Sequence, residues 1–271
     1  MKLIEETLKT DFSDSAKFYG YVLDNSEEMD PQRQRPSVLI CPGGGYVMTS
    51  DREAEPIAIK FLEQGFNAFI LRYSVAPAHY PTALIEAATA MTLIRKNAAA
   101  WHVDPNKLII AGFSAGGHLA ANLATDWQRE FLAGSGFDPE MIKPNGLFLG
   151  YPVITAGKYA HVDSFKNLLG KGYDDPRLRD RVSLEKRVTA AMPKTFLWHT
   201  YTDDTVPMEN SLLFAQALRE QNIPFELHIF PNGGHGLSLG IKETAIPNGY
   251  GVEPAVSVWP ELFKTWVAEN I

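Results

Sequence analysis

The feature that most constrains the fold of this chain is an alternation of short apolar runs with longer stretches of helical period. Several of the runs are apolar at every position, which indicates strands that are buried on both faces of a sheet. Strands of this kind, separated by helices, are typical of α/β proteins with a mostly parallel sheet. The runs predicted to be strands are residues 38–41, 67–73, 108–111, 147–149, 195–198 and 225–230.

Apolar residues at helical spacing predict helices between these strands. One helix is predicted after Pro81, with an apolar face made of Leu84, Ala88, Met91 and Ile94. A second is predicted to begin near Glu209, with an apolar face of Leu213, Ala217 and Leu218. Residues 18–23 are predicted to form an antiparallel edge strand. The predicted fold class is therefore α/β, with a mostly parallel central sheet and helices on both faces.

The length of the chain, 271 residues, fits one α/β domain. No internal repeat and no Pro/Gly/Ser-rich linker divides the chain, so residues 1–271 are predicted to form a single domain. Two stretches, at about residues 126–146 and 157–193, are richer in charged residues, glycine and proline. We interpret them either as solvated connections or as a small cap inserted over the ends of the strands.

The charge balance and the hydropathy of the chain exclude several classes of partner. With 25 Lys and Arg against 32 Asp and Glu, the net charge is −7, which argues against a nucleic-acid-binding surface. No apolar run approaches the ~18–20 residues that span a bilayer, so no membrane association is predicted. The sequence becomes acidic at Glu5 and Glu6, before the apolar core of a signal sequence has formed, which predicts a cytoplasmic protein.

Cysteine and histidine spacing predicts neither a disulfide nor a metal site. The single cysteine, Cys41, cannot form an internal disulfide, as expected in a reducing compartment. The H-E-x-x-H motif is absent, and no His/Asp cluster has the spacing of metal ligands. We therefore expect no cofactor. The oligomeric state stays open, with a homo-oligomer among the alternatives.

A candidate nucleophile lies in residues 112–116, which have the sequence G-F-S-A-G. This G-x-S-x-G pattern follows the strand predicted at 108–111 and precedes a helical stripe of Ala115, Leu119 and Leu123. A serine held on a tight strand-to-helix turn needs small neighbours, because the turn is strained and the helix packs close to the strand. The context favours Ser114 as a nucleophile over a purely structural turn.

Candidate oxyanion donors lie in residues 42–46, P-G-G-G-Y, directly after the strand predicted at 38–41. Glycines allow backbone N–H groups to point into a cavity, where they would bind the oxygen of a tetrahedral intermediate together with the amide of Ala115. The alternatives are a flexible turn and a phosphate-binding loop. The phosphate-binding patterns fail, since no G-x-x-x-x-G-K-[ST] is present and position 48 is Met in a G-x-G-x-x-G frame.

A serine hydroxyl is a weak nucleophile near neutral pH until an imidazole accepts its proton. Of the seven histidines, His235 lies in the sequence N-G-G-H-G, just past the strand predicted at 225–230. The flanking glycines leave its ring free, which favours His235 as the base. His118 lies one turn into the helix after Ser114, where a packing or capping role suits it better.

The imidazole in turn needs a carboxylate that holds its tautomer and offsets its developing charge. Asp203 and Asp204 both follow the strand predicted at 195–198, and both qualify by location. The chain order serine, aspartate, histidine is the order described for α/β-hydrolases.

These motifs together resemble α/β-hydrolase esterases and lipases, specifically the acetyl-esterase-like branch that includes carbohydrate acetyl esterases. The resemblance implies Asp203 as the acid, since in that family the acid stands four residues before the proline of a V-P pair. It also implies the amides of Gly44, Gly45 and Ala115 as the oxyanion hole. The segments that carry it are C-P-G-G-G-Y at 41–46, G-F-S-A-G-G-H at 112–118, Y-P-V at 151–153, W-H-T at 198–200, V-P at 206–207, E-N-S at 209–211 and G-H-G at 234–236.

One position departs from the related lipases, which often have H-G-G-G at the oxyanion loop. Pro42 stands where that histidine would be. A proline there is familiar in the acetyl-esterase-like branch, so the departure bears on the substrate and leaves the expected catalysis unchanged.

We therefore expect a serine carboxylester hydrolase that acts on short acyl esters of the acetyl type, with acetylated sugars among the substrates. The alternatives are a small serine peptidase or amidase with the same three residues, and a non-catalytic binding protein on a hydrolase scaffold. The expected partner is a small-molecule ester. Residues expected to contact it are Tyr46, Tyr151 and Pro152 around the acyl group, and His118, Asn210 or the region near His161 and Ser164 around the alcohol half.

Overall fold

The computed structural model describes all residues, 1–271, and is built on one sheet of eight strands in the order β1-β2-β4-β3-β5-β6-β7-β8. β1 and β2 pair antiparallel to each other, and β2 pairs antiparallel to β4. The strands from β4 to β8 in this order are parallel. The strand bounds are β1 Lys2–Thr7, β2 Lys17–Val22, β3 Arg35–Cys41, β4 Asn67–Arg72, β5 Val103–Phe113, β6 Gly146–Gly150, β7 Lys194–Thr200 and β8 Phe225–Phe230.

Nine helices connect and cover these strands. The two helices predicted after Pro81 and near Glu209 are confirmed. The helix bounds are α1 Glu55–Glu63, α2 Thr82–Lys96, α3 Ser114–Asp126, α4 Glu130–Gly134, α5 Pro139–Ile142, α6 Val162–Leu169, α7 Pro176–Arg181, α8 Glu209–Glu220 and α9 Trp259–Asn270. Short 3-10 turns lie at Asp51–Glu53, Gly170–Asp174, Leu184–Lys186 and Lys242–Thr244. None of the helices combines the length and the apolar composition needed to cross a bilayer.

The sheet divides the buried apolar residues into two clusters, because successive side chains of a strand point to opposite faces. Leu39 and Ile110 pack with α2, α3 and α8 on one face. Ile40 and Ile109 pack with α1 and α9 on the other. This arrangement explains why the central runs are apolar at every position, and it confirms the prediction of a mostly parallel sheet with helices on both faces.

Residues 157–193, here called the 157–193 segment, lie over the carboxyl ends of the central strands. The Nδ2 group of Asn167 donates a hydrogen bond of 2.8 Å to the carbonyl of Gly45, just past β3. The backbone N–H of Leu184 donates to the carbonyl of Ile154, just past β6, at 3.1 Å. The segment therefore contacts the loops that follow two different strands. That residues 157–193 form a cap, and that the chain is a single domain, both stay predictions.

Candidate active site

The turn that presents Ser114 joins β5 directly to α3, and its backbone is strained. Ser114 has φ of 52°, a left-handed conformation that non-glycine residues rarely adopt. A Cβ atom on Gly116 would lie 2.0 Å from the carbonyl oxygen of Cys41, and one on Gly112 would lie 2.1 Å from the carbonyl oxygen of Gly116. Only glycine fits at these two positions, because α3 begins in contact with β3 and β5.

The structure brings together Ser114, His235 and Asp203, which follow three different parallel strands. The Oγ atom of Ser114 donates to Nε2 of His235 at 2.7 Å. The Nδ1 atom of His235 donates to Oδ2 of Asp203, also at 2.7 Å. The carboxyl ends of parallel strands meet at one edge of a sheet, so residues far apart in the sequence converge there. The order of hydrogen bonds is that of a nucleophile, a base and an acid.

Asp203 and Asp204, which location alone did not separate, have different environments. The Asp203 side chain is fully buried, and its Oδ1 atom accepts hydrogen bonds from the backbone N–H groups of Thr205 and Val206. Burial by itself would raise the pKa of Asp203, but hydrogen bonds from His199, His235 and Val206 outweigh it and hold that pKa well below its usual range. Asp204 is exposed and makes one long hydrogen bond, to the Thr205 hydroxyl.

His199 is a site residue that the sequence analysis missed. Its Nε2 atom donates to the carbonyl of Val206 at 2.9 Å and lies 3.3 Å from Oδ2 of Asp203. Its Nδ1 atom accepts from the hydroxyl of Ser211 at 2.8 Å. His199 is fully buried and fixes the loop that carries Asp203. The W-H-T motif at 198–200 was the only signal, and it did not indicate which way the ring points.

The backbone amides of the P-G-G-G-Y loop differ in whether they have a hydrogen-bond acceptor. The N–H of Gly43 donates to Oε2 of Glu53 at 2.6 Å and is therefore occupied. The N–H groups of Gly44 and Gly45 donate to no protein acceptor. The amide of Ala115 belongs to the first turn of α3, where amides have no partner inside the helix. Gly44 has φ of 129°, and a Cβ atom there would lie 2.3 Å from the carbonyl oxygen of Met48, so the turn requires glycine.

Comparison with known proteins assigns the chain to a family. Residues 23–218, more than half of the chain, match the family described as BD-FAE. The chain belongs to the BD-FAE family. Endo-1,4-beta-xylanase B of Butyrivibrio fibrisolvens is 42% identical over 221 residues, which are 78% of this chain and 34% of that protein. The acetylxylan esterase of Xylanibacter ruminicola is 31% identical over 209 residues, 75% of this chain and 41% of that protein. The chain thus spans less than half the length of each of these relatives.

Solved structures similar to this BD-FAE family member cover nearly all of it. An acetyl ester-xyloside bifunctional hydrolase from Caldicellulosiruptor lactoaceticus is 37% identical, with a TM-score of 0.80, over 94% of this chain and 88% of that one. The carboxylesterase Cest-2923 from Lactobacillus plantarum WCFS1 is 30% identical, with a TM-score of 0.87, over 99% of this chain and 98% of that one. The chain therefore has the α/β-hydrolase fold, as the sequence analysis predicted.

Two residues of this BD-FAE family member that were expected to contact the alcohol half are buried and fully hydrogen-bonded instead. The Nδ1 atom of His118 accepts from the Tyr46 hydroxyl, and its Nε2 atom donates to the carbonyl of Val182, both at 2.8 Å. The Oδ1 atom of Asn210 accepts from the backbone N–H groups of Ile154 and Thr155. Both side chains are 0% exposed, so these two expectations are corrected: the residues support loops and have no free group for a substrate.

The residues expected around the acyl group are also interior. Tyr46 and Tyr151 are 3% and 1% exposed. The ring of Tyr151 packs edge-on against the ring of His235, with 5.1 Å between centroids. Pro152 is buried against α3, 2.8 Å from the position of a Cβ on Gly117. Tyr151 therefore contacts the candidate base, while Pro152 packs against the helix that follows Ser114.

His161, a half-buried polar residue of the 157–193 segment, lies close enough to the candidate base for their charges to interact. Its Nδ1 atom is 2.7 Å from the hydroxyl of Ser164, and that hydroxyl lies 3.9 Å from the position of a Cβ on Gly45. Burial, together with the charge of His235, lowers the pKa of His161. The imidazole of His161 therefore lies beside the Gly44–Gly45 turn and within electrostatic range of His235.

No group of three or more His, Cys, Asp or Glu side chains is arranged to hold a metal ion in residues 1–271. A cavity of about 990 Å³ lies at the far end of α3, where Arg129, Arg181 and Arg187 line it, and it contains none of the residues above. The groups available for chemistry at the candidate site are a hydrogen-bonded serine and the free backbone amides beside it.

Proposed function

We propose that this chain is a serine carboxylester hydrolase that removes short acyl groups, of the acetyl type, from hydroxyl-bearing alcohols such as sugars. The observation that carries the proposal is the continuous hydrogen-bonded series from Ser114 through His235 to Asp203, next to the free amides of Gly44 and Gly45. A hydroxyl activated in this way attacks an ester carbonyl.

In the proposed reaction, His235 accepts the proton of Ser114 as the serine oxygen bonds to the carbonyl carbon. The carbonyl oxygen becomes an oxyanion that the amides of Gly44, Gly45 and Ala115 bind. His235 then donates its proton to the departing alcohol, which leaves an acyl group on Ser114. Water, deprotonated by the same imidazole, hydrolyses this acyl-enzyme. Asp203 keeps His235 in the tautomer that presents Nε2 to the serine, and stabilises the imidazolium.

The preference for short acyl groups is supported by two fixed aromatic side chains. Tyr46 is hydrogen-bonded to His118 on α3, the helix that begins at Ser114. Tyr151 is hydrogen-bonded to Glu53 and packs against His235. Because both rings are buried and held at their hydroxyl ends, neither is free to rotate away and admit a long chain.

The sugar-ester part of the proposal is supported by His161 and by the relatives. His161 lies on the side of the site formed by the 157–193 segment, and its Nε2 atom has no protein partner. An imidazole in that position would exchange hydrogen bonds with hydroxyls of the alcohol. One relative is an acetylxylan esterase, and a similar solved structure is an acetyl ester-xyloside hydrolase, which supports the same class of substrate.

The experiment that tests the proposal compares the native chain with Ser114→Ala. We expect the native chain to hydrolyse 4-nitrophenyl acetate and to be labelled by a fluorophosphonate, and we expect both activities to be lost in the variant while its circular dichroism spectrum is retained. Butyryl and longer esters are expected to react more slowly than acetyl. Unchanged hydrolysis by Ser114→Ala would overturn the proposal, and faster cleavage of aminoacyl-nitroanilides than of esters would assign the site to amide chemistry.

We also propose that the protein works on its small-molecule substrate in the cytoplasm. Support comes from Cys41, the one cysteine, which is buried in β3 as a free thiol. Burial raises the pKa of that thiol, so it stays protonated and unreactive. Cell fractionation with an antibody to the native chain tests the location, and sedimentation velocity tests whether the protein is a homo-oligomer.

A further inference from the structure

Glu53 is a buried carboxylate, 4% exposed, that the proposed reaction does not use. Its Oε2 atom accepts from the N–H of Gly43 at 2.6 Å, and its Oε1 atom accepts from the hydroxyl of Tyr151, also at 2.6 Å. Since both oxygens accept, the group is bound as a carboxylate. No Lys, Arg or His forms an ion pair with it. A buried charge without a cation is costly, so these two hydrogen bonds must hold it.

The first of the two hydrogen bonds fixes the loop of the oxyanion amides. A Cβ atom on Gly43 would lie 2.6 Å from Oε2 of Glu53 and 2.9 Å from Cβ of Ser114, so the carboxylate lies against the nucleophile turn. The carbonyl of Gly43 accepts from the N–H of Ser50 at 2.8 Å. With both polar groups of Gly43 engaged on the protein side, the next two amides, of Gly44 and Gly45, are left free.

The second hydrogen bond leads to the loop of the candidate base. The Tyr151 hydroxyl donates to Glu53 and accepts from the N–H of Ser238 at 2.9 Å, three residues after His235. The same tyrosine ring packs against the imidazole of His235. Burial and the charge of Glu53 raise the pKa of Tyr151 well above its ordinary value, so its hydroxyl remains a donor. Glu53 is therefore linked to both sides of the reacting centre.

We propose that Glu53 is a positioning residue that fixes the oxyanion loop and the His235 loop relative to each other. The inference rests on the proposed ester hydrolysis. The proposed oxyanion donors and the proposed base, His235, must keep their relative positions within about 0.5 Å for efficient reaction. One buried side chain bonded to both loops supplies that constraint. Glu53 acts through Gly43 and Tyr151, and in this proposal it touches neither the substrate nor the reacting atoms.

The test is a double-mutant cycle with Glu53→Gln and Tyr151→Phe, measured as kcat and KM on 4-nitrophenyl acetate. The side-chain NH2 of a glutamine donates and cannot accept, so at least one of the two hydrogen bonds, from Gly43 or from Tyr151, is lost or reversed in direction. We expect each single variant to lower kcat about tenfold with KM changed less than about twofold, because transition-state geometry is disturbed more than binding. The double variant should lose far less than the product of the two, since both changes cut the same link.

Glu86→Gln is the matched control, because Glu86 is also a fully buried carboxylate. It accepts from the N–H and the hydroxyl of Ser74, at 2.7 and 2.5 Å, and lies on α2 outside the proposed site. We expect it to lower the melting temperature as much as Glu53→Gln does, with kcat unchanged.

The outcomes separate this inference from the proposed function. Native kcat in folded Glu53→Gln and Tyr151→Phe, or losses that multiply in the double variant, would overturn the positioning role even though Ser114→Ala remains inactive. If Glu53→Gln does not fold, Tyr151→Phe decides alone, since it leaves the Gly43 bond in place. Activity that survives Ser114→Ala would instead overturn the proposed function itself.

Discussion

The carboxyl edge of the sheet and the 157–193 segment that lies over it differ in how their residues are held. Ser114, Asp203 and His235 are fixed by turns that come directly after strands, and each turn has its own backbone requirement, as the φ of 52° at Ser114 illustrates. The 157–193 segment is held by side-chain and backbone bonds to loops, such as that from Asn167 to Gly45. The proposed chemistry therefore depends on the ends of the strands, whereas the proposed selection of the alcohol depends on side chains that pack over them.

The largest expected effect is a difference in kcat between variants of two adjacent carboxylates that follow β7, Asp203 and Asp204. Asp203→Asn should lower kcat about 10³–10⁴-fold, because the amide disfavours the tautomer of His235 that accepts the serine proton. Asp204→Asn should change kcat less than about twofold, since that side chain is exposed. Steady-state kinetics on 4-nitrophenyl acetate measures both. Equal losses in the two variants would contradict the assignment of the acid.

The second prediction contrasts a glycine at the strand edge with one in residues 126–146. Gly116→Ala should destabilise the protein by about 3 kcal/mol or more, because the new Cβ would overlap the backbone at Cys41. Gly134→Ala, in α4, should change the free energy of unfolding by less than about 1 kcal/mol, since nothing lies within 4 Å of the new atom. Urea unfolding followed by circular dichroism compares them. A stable Gly116→Ala variant would mean that α3 is able to shift away from β3.

The third prediction concerns His118, where the 157–193 segment bonds to α3 through the Val182 carbonyl. Burial lowers the pKa of His118 to about 4 from an ordinary 6.5. The unfolded chain therefore binds a proton at a higher pH than the folded chain, so stability is full above pH 6.5 and falls between pH 6.5 and 4. Between pH 7 and 5 the loss should be about 2 kcal/mol.

Urea titrations at the two pH values measure this loss, and a variant shows whether it belongs to His118. In His118→Gln we expect the dependence of stability on pH to be flatter between pH 7 and 5 than in the native chain. A slope unchanged by His118→Gln would assign the pH dependence to other groups.

The smallest expected effect tests the proposal that the 157–193 segment helps to select the alcohol half of the ester. His161→Ala should raise KM about tenfold on acetylated xylo-oligosaccharides, because a hydrogen bond to a sugar hydroxyl is lost. On 4-nitrophenyl acetate, whose leaving group has no further hydroxyls, KM should change less than about twofold. Lys158→Ala, an exposed change in the same segment, is the matched control. The same KM increase on both substrates would exclude a contact specific for the sugar.

Much of the fold was predictable because burial on both faces of a parallel sheet leaves continuous apolar runs, as in β3 and β5. β1 was missed since almost all its residues are exposed, so no apolar pattern marks it. The helix α9 was not predicted either, although its Trp259, Phe263 and Trp266 pack against the sheet. The prediction of two alcohol contacts, His118 and Asn210, was wrong because burial and internal hydrogen bonds depend on neighbours distant in the chain.

The amino-acid sequence alone determined which strands are central and which turn presents a serine, because both depend on local period and on backbone stereochemistry. It also marked the glycines without which those turns would clash. Only the tertiary structure decided that Asp203 faces His235, that His118 is enclosed, and that Glu53 bonds to both Gly43 and Tyr151. Those contacts join residues that are 10 to 98 positions apart in the chain. Only packing of the whole chain determines which polar groups are buried together.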